Sequence, residues 1–182
     1  MRSKKGRESG EPRPGVFDEI LARFEEDQPQ FARVSDHLES LLKGLSKRCP
    51  EVHSFKFRTK DRSHLRDKLA RRWRKRSQEG KSFDITADNY LTKINDLVGG
   101  RIIHLHTFQF EVIHNALLEA LGKSSWTVLN RGPEAKVWDP EYADYFRRLG
   151  LRRVRKDFYT SVHYECALPG RKPRFTCEIQ VR

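Results

Sequence analysis

The end of the chain limits the fold more than any other segment. Phe175 to Arg182 alternates Cys177, Ile179 and Val181 with Glu178, Gln180 and Arg182. That is the period-two pattern of a strand with one buried face. Tyr159 to Cys166 alternates in the same way, with Tyr159, Ser161, His163 and Glu165 on one side. The Leu168-Pro169-Gly170-Arg171-Lys172-Pro173 stretch between them is a turn sequence, so the two runs predict an antiparallel hairpin. Its apolar face must be covered by something. Its polar face carries an aromatic ring, an imidazole, carboxylates and a guanidinium, which are groups suited to handling a nucleotide.

Upstream, helical and extended patterns alternate. Val16 to Glu26 reads as a short helix. Phe31, Val34, Leu38, Leu41, Leu42 and Leu45 form the buried stripe of a second helix that begins near Pro29 and stops at Cys49-Pro50. Val52 to Arg58 reads as a strand. Ser63 to Ser77 is a strongly basic helix with Leu65, Leu69 and Trp73 inward. A short helix over Asp88 to Leu97, a strand from Arg101 to His106 and a helix from Phe110 to Leu121 stopped by Gly122 follow. Trp126 to Asn130 is a strand, Arg131 to Pro140 a loop and Glu141 to Leu149 a helix. The alternation predicts an α/β (α+β) chain with a mixed sheet flanked by helices in a single domain.

Charge narrows the class of partner. The 182 residues carry 37 Lys and Arg against 25 Asp and Glu, a formal net charge of +12, with 36% hydrophobic residues. Such a balance favours anionic partners: nucleotides, RNA or an acidic surface. Residues 1–15 are basic, bear Gly and Pro and lack apolar periodicity, so a disordered arm is expected there. No apolar run has the length of a membrane span, and the N-terminus lacks an apolar signal core. Cys49, Cys166 and Cys177 have no metal-type spacing, and an odd count argues against a disulfide framework. A cytoplasmic location without membrane contact is the expectation.

Three clusters carry the chemistry. Arg58-Thr59-Lys60 leaves the end of a strand, and Lys68 and Arg72 line one side of the next helix. Cations converging in this way neutralise a triphosphate and hold it in line, although basic residues on a helix are usually solvated. Asn95-Asp96-Leu97-Val98-Gly99-Gly100-Arg101-Ile102-Ile103 puts an acid before two glycines and a strand. The glycines are expected to let the backbone turn tightly and approach a ligand, with Asp96 at the mouth of the sheet, as a Mg2+ ligand beside phosphates or as an acceptor of turn hydrogen bonds. Glu178 in the hairpin is a second carboxylate, and Tyr159 is a ring on which a base can stack. His104 and His106 form a His-x-His pair with no third metal ligand evident. Trp73, Trp126 and Trp138 read as packing residues.

In this order, these clusters resemble the synthetase domain of the RelA/SpoT family, which transfers pyrophosphate from ATP to the 3′-hydroxyl of GDP or GTP to make the alarmone (p)ppGpp. The resemblance runs from about Phe31 to Arg182. It rests on Arg58-Thr59-Lys60 with Lys68-Leu69, the Asn95 to Ile103 stretch, Asp144-Tyr145, Tyr159-Thr160-Ser161-Val162-His163 and Glu178-Ile179-Gln180-Val181-Arg182. It implies a nucleotidyltransferase-like mixed sheet over residues 16–182, with Asp96 and Glu178 as the catalytic and Mg2+-binding carboxylates. Arg58, Lys60, Lys68 and Arg101 would hold ATP and its phosphates. Tyr159 would stack on the acceptor guanine, and His163 and Gln180 would position phosphate and ribose.

The sequence departs from that pattern at three places. His64 stands where the family often has Ser, Phe158 precedes Tyr159 where Gly is usual, and relatives continue beyond the position of Arg182. The domain is therefore expected to be cut short at its C-terminus. No His-Asp hydrolase segment is evident, which resembles the small single-domain branch. Some toxic small relatives pyrophosphorylate the 3′ end of tRNA. The basic runs Arg71-Arg72-Trp73-Arg74-Lys75-Arg76 and Arg152-Arg153-Val154-Arg155-Lys156 are compatible with that acceptor, or with an inactive RNA-binding module. A homo-oligomer is compatible with each reading.

Overall fold

The computed structural model describes residues 15–168 and 175–182. The expected basic arm, apart from Gly15, and most of the hairpin turn lie outside the described residues. Six α-helices, a short 3-10 helix at Thr107–Gln109 and seven strands are the regular elements of the described residues. In order the α-helices and strands are α1 (Val16–Glu26), α2 (Gln28–Ser46), β1 (Ser54–Thr59), α3 (Arg62–Gln78), α4 (Tyr90–Lys93), β2 (Val98–Ile103), α5 (Phe110–Lys123), β3 (Thr127–Val128), β4 (Glu134–Val137), α6 (Pro140–Arg148), β5 (Arg152–Arg155), β6 (Ser161–Ala167) and β7 (Thr176–Val181). The strands form one mixed sheet in the order β1-β2-β7-β6-β4-β5, with β3 also paired to β6. The β2–β7 and β4–β5 pairs are parallel, and the others are antiparallel.

The hairpin forms as the alternation predicts, with Cys166 opposite Cys177 and His163 opposite Gln180. Both cysteines are free and fully buried, as is Cys49. The inward row Val162, Tyr164, Cys166, Cys177, Ile179 and Val181 joins Val98 and Ile102 of β2 in a continuous core with α2 and α5. All six apolar residues of the α2 stripe are buried. Burying a Leu- or Phe-sized side chain contributes about 1.5–3 kcal/mol, and this explains why a helix with no side-chain cap holds its place. The core also contains a polar pair, His114 Nδ1 and the Tyr164 hydroxyl at 2.7 Å.

The structure corrects several sequence expectations. β2 begins at Val98, three residues earlier than predicted, and ends before the two histidines, so Gly99 and Gly100 lie within a strand and make no turn. The reason is close approach: a Cβ on Gly100 would stand 2.8 Å from Leu42 Cδ1 of α2, and one on Gly99 would stand 3.1 Å from the Glu178 carbonyl oxygen. The predicted loop at 131–140 contains β4, whose Ala135 and Val137 face the core. The basic run after Gly150 is the exposed edge strand β5. α5 continues through Gly122 to Lys123, β3 has two residues, and the helix expected over Asp88 to Leu97 is reduced to Tyr90–Lys93. Trp126 is buried, but Trp138 is half exposed. Among the described residues no helix is long and apolar enough to cross a membrane.

Candidate active site

The face of the sheet opposite the core is built from the outward positions of five strands. Two rows run across it by register. One is Arg58, Gly99, Glu178 and Glu165; the other is Lys56, Arg101, Gln180, His163 and Glu134. Gly99 puts no side chain between Arg58 and Glu178. The gap is part of a cavity of about 330 Å³ lined by Lys56, Phe57, Arg58, Asp96, Gly99, Gly100, Arg101, Glu178 and Gln180. One sheet face thus gathers cations and two carboxylates around an open floor.

Asp96 sits at the sheet end where β1 leaves and β2 begins, on the turn before β2. Lys60, just past β1, places its ammonium 3.1 Å from Asp96 Oδ2 while being only 4% exposed. Lys68, from α3, pairs with the other carboxylate oxygen. α3 starts where it does because Asp61 caps it, accepting from the backbone N–H of His64 at 2.8 Å. Two turns later this presents Lys68 to Asp96. Burial pushes the Asp96 carboxyl up, but Lys68 and Lys60 outweigh it and hold the group below the usual carboxylate range. Burial, with Lys60 and Arg72 adding repulsion, holds Lys68 below an ordinary lysine although Asp96 pulls it up. Arg72 itself turns to the Lys93 carbonyl oxygen at 2.5 Å.

Glu178 lies deeper. Its Oε2 is 3.0 Å from His163 Nδ1, and its Oε1 accepts from Gln180 Nε2 at 2.5 Å. Burial raises its pKa, but His163, Gln180 and Lys136 more than offset this, so the carboxyl stays ionised. Arg101 donates to Gln180 Oε1 at 3.3 Å, and its buried Nε has no hydrogen-bond partner among the described residues. Tyr159 precedes β6 and is not part of it, yet its hydroxyl reaches to 3.3 Å from His163 Nε2.

The predicted residues therefore fall into two adjoining groups. Arg58, Lys60, Lys68, Asp96 and Arg101 lie towards β1 and β2. Glu178, Gln180, His163 and Tyr159 lie on and beside the hairpin. Asp144 and Tyr145 are on α6, away from this face, with Asp144 paired to Arg147. His104 and His106 follow the end of β2 and do not join the site.

Sequence reading missed Lys56 and Lys136. Lys56 was legible as the position two before Arg58 on the same strand face. Lys136 was hidden by reading its segment as a loop. Glu165, opposite Glu178, is tied by the side-chain amides of Asn95, at 2.8 Å, and Asn130. Phe158 has φ of +53° and is 90% exposed, its ring 6.0 Å from that of Trp138. A left-handed backbone explains why glycine suits this position.

A mixed sheet with a helical layer on one face and charged residues gathered on the other defines the class of fold. Comparison of structures makes it specific: the chain has the fold of the small alarmone synthetases. It superposes on small alarmone synthetase 1 from Bacillus subtilis bound to its product pppGpp with a TM-score of 0.58 and 16% identity, covering 88% of this chain and 74% of that one. The same protein bound to AMPCPP matches with a TM-score of 0.54 and 15% identity, over 88% and 70% of the two chains. A GTP pyrophosphokinase family protein from Streptococcus pneumoniae matches with a TM-score of 0.52 and 16% identity, over 91% and 68%. No protein-family model and no curated protein matches the sequence.

Proposed function

We propose that this protein is an ATP-dependent pyrophosphokinase that moves the β,γ-pyrophosphate of ATP to the 3′-hydroxyl of GDP or GTP, making (p)ppGpp. The observation that carries the reading is the cavity floored by Gly99, with Asp96 and Glu178 on its lining and Lys56, Arg58 and Arg101 around it. The AMPCPP and pppGpp bound by structural neighbours support an ATP-like donor and a guanine nucleotide product.

In this reading Arg58, Lys60, Lys68 and Arg101 hold the donor phosphates, and the unpartnered Nε of Arg101 donates to one of them. Tyr159 stacks on the acceptor base. Glu178 accepts a hydrogen bond from the 3′-hydroxyl and takes its proton. The 3′-oxygen bonds to the β-phosphorus as the bond from that phosphorus to the bridging oxygen breaks, and AMP leaves with the electron pair. A carboxylate held below its usual pKa is a weak proton acceptor. Glu178 therefore acts chiefly by orienting the hydroxyl, and positioning and charge supply most of the catalysis.

Two hard carboxylates, Asp96 and Glu178, line one cavity, a donor set that suits Mg2+ shared with phosphate oxygens. Asp96 and Glu178 would bind it together with the phosphates, and it would neutralise charge on the transferred group. A cytoplasmic location accords with the three free, buried cysteines.

One feature favours a second acceptor, the 3′ end of tRNA. Arg152, Arg153 and Arg155 on the fully exposed edge strand lie near exposed Phe158 and Trp138, a surface suited to single-stranded RNA. ATP labelled at the γ-phosphate, incubated with the protein, Mg2+ and separately GDP, GTP or deacylated tRNA, decides between them. Label on GDP or GTP, lost in Glu178→Gln, supports alarmone synthesis; label only on tRNA supports the second reading. No transfer to any acceptor would sink both and leave an inactive nucleotide- or RNA-binding module.

A further inference from the structure

The sheet face that carries Glu178 holds another carboxylate that no cation compensates. Glu165 of β6 is the direct cross-strand partner of Glu178 on β7. Like charges so placed repel. The chain has a formal net charge of +12, yet among the described residues no Lys, Arg or His pairs with Glu165. Two neutral amides hold it instead, both on Oε2: Asn95 Nδ2 at 2.8 Å and Asn130 Nδ2.

The two amides reach Glu165 from informative places. Asn130 has φ of +55°, and it is followed by Arg131 at +63° and Gly132 at +106°, so three successive residues are left-handed. The glycine takes that conformation freely and Arg131 does not. Such strain persists where the surroundings over-determine it. Here the Leu129 N–H also donates to the Glu165 carbonyl oxygen at 2.7 Å. Asn95 is the residue before Asp96, and its side chain is fixed at both ends. Its nitrogen donates to Glu165, and its Oδ1 accepts from Thr176 Oγ1 at 3.4 Å. Thr176 is 5% exposed and shares its hydroxyl hydrogen with the Leu91 carbonyl oxygen at 3.2 Å.

The turn before β2 is therefore tied from two sides. Lys60 and Lys68 draw the Asp96 carboxylate towards β1 and α3. Asn95 anchors the adjoining backbone to the hairpin that carries Glu178. The β2–β7 register fixes residues only from Val98 onward, so Asp96 needs this further tether. We propose that Glu165 is a positioning residue: through Asn95 it sets the separation of Asp96 and Glu178, the two carboxylates assigned to Mg2+. The inference rests on the pyrophosphokinase reading and deepens it. Mg2+ demands near-octahedral geometry at short distances, so ligands from a turn and a strand serve it together at one spacing only. Groups that orient metal ligands from behind matter nearly as much as the ligands themselves.

Calorimetric titration of Mg2+ into the protein with a non-hydrolysable ATP analogue, beside kinetics of pyrophosphate transfer to GDP, tests this. Glu165→Leu should raise the half-saturating Mg2+ concentration about ten- to hundredfold and lower kcat to a similar extent. Its KM for GDP and its affinity for the analogue without Mg2+ should stay as in wild type. Glu165→Gln, whose side-chain carbonyl can accept from both amides, should remain within a few-fold of wild type. Asn95→Ala should reproduce the Mg2+ defect, and adding it to Glu165→Leu should change little, because both break one link. It serves in place of Glu165→Leu if that variant does not fold. A wild-type Mg2+ dependence in Glu165→Leu or Asn95→Ala overturns the positioning role and leaves the enzymatic reading standing. Equal losses of analogue affinity with and without Mg2+ make Glu165 a general structural residue and also overturn it. Wild type that neither binds the analogue more tightly with Mg2+ nor transfers pyrophosphate overturns both.

Discussion

Asp96 links the stability of the fold to the proposed chemistry. It compensates Lys60, whose ammonium is almost completely buried, and it lines the cavity. Removing one partner of a buried ion pair costs about 3 kcal/mol because the other charge is left uncompensated. Asp96→Asn should therefore lower unfolding stability in urea by roughly that amount, as well as reducing pyrophosphate transfer about a thousandfold or more. The stability loss should depend on pH in one direction. A folded-state pKa depressed by Lys68 and Lys60 makes the contribution of Asp96 complete above the unfolded-state value near 3.9. That contribution disappears as pH falls through the folded-state value, so the urea midpoints of wild type and variant should converge in acid. Phe158 gives a cleaner case of backbone strain. A non-glycine residue in the left-handed region costs about 1 kcal/mol, and the exposed ring of Phe158 recovers little through Trp138. Phe158→Gly should raise the urea midpoint by about that much; a fall would mean that the ring contact outweighs the strain.

The elements explain why Gly99 and Gly100 were misread. Adjacent glycines ordinarily mark a turn, but here each answers a different neighbour across the sheet. Gly100 lets α2 close on β2, and Gly99 keeps the cavity floor open between Arg58 and Glu178. Gly100→Ala should destabilise by about 2 kcal/mol through overpacking against Leu42 and Leu38, read as a shift in thermal midpoint. β4 and β5 were missed for a related reason. Both are four residues long, too short for alternation to be distinguished from loop composition. β5 is exposed throughout, so burial left no mark on its sequence. The longer elements were legible because one face repeats often enough to declare itself, as in α2 and the hairpin.

For the whole molecule, charge and sheet sidedness act together. The formal net charge of the chain is +12, and in the cavity Lys60 pairs with Asp96 while Arg101 Nε has no hydrogen-bond partner among the described residues. Polyanion binding by the exposed Arg-rich edge should weaken steeply with salt. Binding of an ATP analogue in the cavity should weaken less, because partly buried charges are screened less. Titrations between about 50 and 200 mM salt would compare the two slopes directly. Chelation of Mg2+ should stop pyrophosphate transfer and leave the circular dichroism spectrum unchanged, since the described residues offer no metal cluster on which folding could depend.

Local pattern alone specifies the hairpin strands, the buried stripe of α2, the basic helix after Lys60 and the residue types suited to phosphate chemistry. These are set by local periodicity and by side-chain chemistry, both of which a linear pattern carries. Packing of the assembled fold sets the rest. It joined β2 to β7 in parallel, bringing Gly99 beside Glu178 across a large gap in sequence. It also brought β4 against β6, making Lys136 a neighbour of His163. Strand register and the approach of α2 are outcomes of packing the whole core, so the floor of the cavity and the cation beyond Glu178 appear only once that core is assembled.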